Sequence, residues 1–165
     1  MAVIGIDPGT ALTGYGVVEE SIYGNLKPVV FGVIETSPKQ TSTDRLLDIF
    51  IKLKGILSRY SIESAAVENL FFQKNVKTAI AVGQARGVIL LALAQSEIPV
   101  LEYNPVEIKQ AVTGYGQASK KQIQEMVKVL LGLDTIPKPD DAADALAVAI
   151  CHIHSRKLFN LAKGN

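Results

Sequence analysis

Three short segments place carboxylates where an unpaired charge is costly. "GIDPGT" (residues 5–10) sets Asp7 at the end of an apolar run, "AAVEN" (65–69) ends on Glu68, and "PDDAADALAVAI" (139–150) opens a helix with Asp140, Asp141 and Asp144. At about 100° per residue, Asp144 lies about 60° around the helix from Asp141 and about 40° from Asp140. Either pair shares a face, and helical geometry leaves the choice open. If these acids meet, like charges a few ångströms apart cannot all stay ionised without compensation, and divalent cations are the simplest compensation. With no His or Cys cluster alongside, the set favours hard ions, Mg²⁺ or Mn²⁺. Two such ions about 3.5–4 Å apart can generate an attacking hydroxide and stabilise the leaving oxygen of a phosphodiester. Each acid also has a structural explanation: Asp140 or Asp141 as a helix cap, Asp7 as a turn residue before Pro8-Gly9, Glu68 as the partner of Lys74 or Lys77. The set of acids together favours the metal reading.

The elements that must bring these acids together follow from periodicity. Residues 2–7, 14–20 and 26–35 read as strands, the last with Pro28 near its start, where a missing N–H does least harm. Leu46, Leu47, Phe50, Leu53, Ile56 and Leu57 recur at helical spacing within 43–60, with Thr43 and Asp44 as candidate caps. A short strand follows at 65–69, a long helix at 75–96, a strand at 99–103 and a helix opening at Pro105. The loop "TGYGQASKK" (113–121) leads into a helix at 119–131, and Pro137 and Pro139 precede the last helix at 140–156. In that last helix Ala142, Leu146, Ala149, Ile150 and Ile153 form a stripe expected to face the sheet, with the aspartates beside it. The order is that of an α/β chain with a mixed sheet flanked by helices.

Bulk properties bound the rest. The chain has 165 residues and 48% hydrophobic composition, which suits one domain over 1–165. Seventeen Lys plus Arg against sixteen Asp plus Glu leave a formal charge of +1, so any nucleic-acid signal must come from where the charges sit. The single cysteine, Cys151, excludes an internal disulfide and suits a reducing compartment. The N-terminus has no basic region or cleavage site of a secretory signal. The apolar stretch 79–94 is interrupted by Gln84, Arg86 and two glycines and falls short of the roughly 20 residues that cross a bilayer. A cytoplasmic location is expected.

"GIDPGTALTGYGVV", "VENLFFQKN", "GQARGV" and "DAADALAVAICH", in this order through nearly the whole chain, resemble the RuvC-type Holliday junction resolvases, nucleases with a ribonuclease H-like fold. The resemblance implies a homodimer that binds a four-way DNA junction and cuts two strands of like polarity symmetrically, with two Mg²⁺ or Mn²⁺ ions per active site. It places the family's acidic ligands on Asp7, Glu68, Asp141 and Asp144, which selects Asp141 over Asp140 and leaves Asp140 as the helix cap. Some members carry histidine at the first position of the last pair; this chain has Asp141. Phe71 falls where the family has an aromatic that stacks on a base near the junction centre, and Lys109 and Lys120 fall on basic positions tied to DNA handling and the active site. A branch-migration complex of the RuvA and RuvB type is a candidate partner.

The residues add to this. Lys74, Lys77, Lys109, Lys120 and Lys121 lie in loops or near helix starts, where they can position phosphates without reading sequence. The 75–96 helix is apolar around nearly its whole circumference, which means full burial or a shared interface. Ala79, Gly83 and Gly87, each four apart, would let a second helix approach closely, and a two-fold dimer through this helix is expected. His152 and His154 point to different sides of the last helix and are poor joint ligands, although His152 shares Asp141's angle, which leaves a role near the site open. Three rival functions remain. An ATP-binding domain of the actin and hexokinase type needs a second lobe that 165 residues cannot hold, and "GYGQASKK" lacks a Walker A ending. A ribonuclease H-like nuclease acting on RNA or hybrid would use the same acids. A non-catalytic junction binder would not need them.

Overall fold

The structure is a computed structural model that describes residues 1–69 and 76–162. Five strands and five helices follow in the order β1 (Ala2–Asp7), β2 (Leu12–Glu20), β3 (Leu26–Glu35), α1 (Ser42–Leu57), β4 (Ser64–Glu68), α2 (Val76–Gln95), β5 (Val100–Tyr103), α3 (Pro105–Thr113), α4 (Lys120–Leu130) and α5 (Asp140–Ala162). The sheet order is β3-β2-β1-β4-β5. β1 pairs antiparallel with β2, and β2 with β3; β4 runs parallel to both β1 and β5. This is a mixed five-stranded sheet with helices on both faces.

The period-two alternation of the strands assigns the faces. Ile4, Ile6, Val17, Ala65 and Val67 pack with Ile49 and Leu53 of α1 and Ala85, Ile89 and Leu93 of α2. Val3, Val18 and Ala66 pack on the other face with α5 and with Ile108 and Val112 of α3 and Val127 of α4. The same alternation turns Gly5 and Asp7 of β1, Gly14 of β2 and Glu68 of β4 toward α5. At Gly5 a Cβ would sit 2.1 Å from the Ala145 carbonyl oxygen, and at Gly14 it would sit 2.0 Å from that of Asp141. Only hydrogen fits at these two points, so α5 lies directly on β1 and β2. The stripe from Ala142 to Ile153 faces the sheet as expected, but burial extends around most of the helix: every residue from Ala145 to Ile153 is buried. The sheet beneath α5 and the two helices above it explain this, since α3 and α4 cover its outer side.

Most boundaries shift by one or two residues, but α1 ends three residues earlier and α5 six residues later than expected, and the caps expected at these two helices need correction. The N-cap of α1 is Thr41, whose hydroxyl accepts from the Asp44 N–H, so neither Thr43 nor Asp44 caps it. Asn104 caps α3 in a reciprocal capping box with Glu107, and Ser119 does the same for α4 with Gln122. Asp140 is already in the first turn of α5 and its carboxylate turns to Lys138 at 2.8 Å, so it is an ion-paired residue and not the cap. Pro28 sits on the edge strand β3 beside a register shift at Val17/Val18, consistent with its missing donor.

The long apolar helix is half committed. Ala85, Ile89, Ala92 and Leu93 are buried, whereas Ile80 and Leu91 are 58% and 53% exposed. The helix runs further than the 79–94 stretch, and over Thr78–Gln95 it is long and apolar enough to cross a membrane by length and composition, with 22% of that window buried. A Cβ at Gly83 or Gly87 would meet nothing.

Candidate active site

The acids gather at the C-terminal ends of two parallel neighbours. β1 and β4 pair through Ile6–Val67, and one step further each strand ends on its carboxylate, Asp7 and Glu68, both turned toward α5. The turn after Asp7 is held rigidly: the Thr13 hydroxyl donates to the Gly9 carbonyl at 2.6 Å, and the Thr36 hydroxyl donates to that of Thr10 at 2.6 Å. Arg45 Nε in turn donates to the Thr36 hydroxyl at 2.8 Å. Asp7 opposes Gly14 on β2, and the close seat of Asp141 on Gly14 delivers the first turn of α5 to the same sheet end.

The electrostatics record the crowding. The Asp7 carboxyl is pushed up to about 8, by burial first and then by the charges of Glu68, Asp144 and Asp141. Glu68 is raised by burial, partly offset by its side-chain hydrogen bond with Asp7. Asp144 is raised by burial and held back by Lys120, whose ammonium donates to its carboxylate at 2.9 Å. Asp140 instead sits low, held there by Lys138. Of the pair that helical spacing left open, Asp140 turns to Lys138, while the charge of Asp141 is the smallest of the causes that raise Asp7.

Among the described residues no three His, Cys, Asp or Glu side chains close into a cage. Asp7 and Glu68 share a side-chain hydrogen bond, the charge of Asp144 acts on both, and Lys120 lies against Asp144 and 3.6 Å from Asp140. A cleft of about 190 Å³ beside them is lined by Glu68, Asp144, Lys109 and Lys120. Buried, under-compensated carboxyls with no nitrogen or sulfur donor suit hard divalent ions. The chain's Cys151, His152 and His154 are elsewhere on α5: the Cys151 thiol is buried and pushed up to about 12, and His154 Nδ1 lies 2.9 Å from the Ala111 carbonyl oxygen.

Other expected positions separate. Lys109 and Lys120 reach the acid cleft, but Lys121 lines a different cavity on the next face of α4. Phe71 and Lys74 lie outside the described residues, as does any pairing of Glu68 with Lys74 or Lys77. His152 has no place at the site. It is fully buried, with Nε2 2.9 Å from the Ser64 hydroxyl and Nδ1 2.9 Å from the Tyr103 hydroxyl. Sharing Asp141's helical angle put it on the right face, but eleven residues of rise carry it about 16 Å down the helix, to the start of β4 and not its end.

The mixed sheet in this order, flanked by helices, is a ribonuclease H-like fold, and it carries carboxylates at two paired strand ends. The family model for crossover junction endodeoxyribonuclease RuvC matches residues 3–152. Proteins of that name from Desulforamulus reducens and Caldicellulosiruptor saccharolyticus are 57% and 54% identical to this chain. The first match covers 96% of this chain and 97% of that one, the second 94% and 93%. The structure of Thermus thermophilus RuvC in complex with a Holliday junction substrate superposes with a TM-score of 0.88 at 34% identity, over 96% of both chains. The yeast mitochondrial Holliday junction resolvase Ydc2 shares the fold, with a TM-score of 0.72 at 12% identity over 98% of this chain and 83% of that one. The chain belongs to the RuvC family.

Proposed function

We propose that this protein is a structure-selective endonuclease that resolves four-way DNA junctions by paired, symmetric, metal-dependent hydrolysis of phosphodiesters during recombination and repair. Family membership over residues 3–152 carries the reaction class. The observation that supports the site is the convergence of Asp7, Glu68, Asp141 and Asp144 from three elements on one sheet end, with Asp7 raised to about 8. These four residues would hold two Mg²⁺ or Mn²⁺ ions. When bound, such ions neutralise the carboxylates, activate a water for attack and stabilise the leaving oxygen. Lys109 and Lys120, on two helices flanking the cleft, hold the scissile phosphate's neighbours against the acids, and β1 and β4 fix the direction of approach. Lys74 and Lys121 belong to the same DNA-binding reading, and Phe71 is its base-contacting aromatic.

Dimerisation through α2 is part of this proposal. The exposed Ile80 and Leu91 and the open surfaces at Gly83 and Gly87 support a second α2 packing there, and a two-fold pair of sites suits paired cuts. Both apolar cores share one sheet, which supports a single nuclease domain over 1–165. A cytoplasmic location, where the DNA is, and docking of a branch-migration complex of the RuvA and RuvB type belong to the same reading. The decisive experiment is incubation of a synthetic four-way junction with and without Mg²⁺ or Mn²⁺, with both nicks mapped. Symmetric nicks across the junction centre are expected; equal cutting of linear duplex or of an RNA–DNA hybrid would sink junction selectivity.

A further inference from the structure

The segment "TGYGQASKK" (113–121) joins α3 to α4 and has no part in gathering the acids. Its backbone is nonetheless fixed at several points. The Thr113 hydroxyl accepts the Tyr115 N–H at 3.1 Å and lies 2.8 Å from the Lys109 carbonyl. Gln110 Nε2 donates to the Gly114 carbonyl at 2.9 Å, Gly114 takes the left-handed conformation at φ 75°, and the Ala118 N–H donates to the Tyr115 carbonyl at 3.1 Å. A tightly held loop thus presents a ring that is 58% exposed. A lone exposed aromatic needs no explanation. Tyr115 differs because it borders a cavity of about 440 Å³ that also takes in Thr113, Ser119, Lys121, Glu125 and Met126.

The cavity and the acid cleft are separate but are bordered by neighbouring residues of the same two helices. On α3, Lys109 lines the cleft, and Thr113, one turn on, lines the cavity; on α4, Lys120 lines the cleft and Lys121 lines the cavity. A DNA strand whose phosphate lies between Lys109 and Lys120 must leave the cleft somewhere, and here it meets a cation and an aromatic face in succession. Glu125, one turn beyond Lys121 on α4, repels a phosphate from the deeper part, so the charge belongs at Lys121 and the uncharged base at the ring.

We propose that Tyr115 is a nucleotide-stacking residue, taking an unpaired base of the scissile strand next to the cut while Lys121 takes the adjoining phosphate. This rests on the junction-cleaving reading of the acid cleft. A loop whose backbone is already held loses little freedom on binding, and every base has a face to offer the ring, so the contact positions the strand without selecting sequence.

The test uses full-length protein carrying Asp7→Asn to block cutting, and four-way junctions with a single 2-aminopurine at each position flanking the cut in turn. Binding is expected to quench the fluorescence at one flanking position. Adding Tyr115→Ala should abolish that quench and weaken junction binding about 5- to 150-fold, the range for loss of one base–aromatic stack. Tyr115→Phe keeps the ring and should recover both. Lys121→Gln should lower the slope of log affinity against log salt by about one. Thermal melting of each variant checks that the fold is unchanged. No quench at any position, or a quench and affinity that survive Tyr115→Ala, overturns the proposal. If the wild-type chain still makes paired nicks in that event, the junction reading stands and Tyr115 alone is dismissed; if it makes none with either metal, the junction reading itself falls.

Discussion

Near the N-terminal end of α5, Asp144 joins Asp7 and Glu68 as carboxyls raised by burial first and by neighbouring charge. Three turns further along the same helix, His152 is more deeply buried, yet each ring nitrogen has a hydroxyl 2.9 Å away. Burial holds this ring neutral and drives its pKa down to about 4, with Arg156 adding to the effect. Both regions put polar groups under the sheet. One is satisfied from within the chain, so it bolts α5 to β4 and β5; the other leaves charge for something from outside to satisfy. The contrast separates a structural polar network from a binding site more clearly than burial or residue type does.

The largest effect that sharpens this contrast is on catalysis. Asp7→Asn should reduce junction cleavage by on the order of 10³-fold or more, as when one member of a charge-stabilising set is removed, while raising the melting temperature of the metal-free protein. Gel-based cleavage and calorimetry check the two halves. His152→Leu should do the reverse in kind: it strands the Ser64 and Tyr103 hydroxyls and should lower stability by about 3 kcal/mol in urea unfolding. Mg²⁺ or Mn²⁺ at about a hundredfold its dissociation constant should stabilise the wild type by about 2.7 kcal/mol. Asp7→Asn should lose most of that gain, and His152→Leu should keep it.

The two regions also predict opposite responses to pH. Asp7 is raised in the fold, so its contribution is greatest below its unfolded value near 3.8 and is lost as pH rises toward about 8. His152 is depressed, so its contribution is present above 6.5 and is lost as pH falls toward about 4. Between about pH 4 and 6.5 the His152 slope opposes that of the acids, so metal-free stability should change less steeply than from 6.5 to 8, where only the acids act and it should fall. Urea midpoints across this range check the curve, and Asp7→Asn should convert it to one that rises through 4 to 6.5. A wild-type curve that rises through 6.5 to 8 would break the comparison. The smallest effect belongs to Tyr103→Phe, which removes one partner of His152 and should lower stability by about 1–2 kcal/mol with cleavage unaffected.

Much of this was legible in the chain because strands and helices announce themselves locally. The apolar run in "AVIGID" and the helix starts near Pro105 and Ser119 needed no tertiary knowledge, and the acids stood out because carboxylates at strand ends are costly without a partner. What misled was distance along an axis. His152 has the right angle on α5 and the wrong height, since periodicity reports direction around a helix and nothing about which strand end lies opposite. The pairing of Lys120 with Asp144 crosses a loop whose course no local pattern encodes.

Residue order therefore settled which groups are present, which face of each element they occupy and, through motif resemblance, the family. Folding decided that Asp140 turns to Lys138, that Lys120 and Lys121 line different cavities, and that one face of α2 stays uncovered. The reason is physical: side-chain direction is a local property of the backbone, whereas which side chains meet depends on how closely helix and sheet can approach, and here Gly5 and Gly14 set that distance.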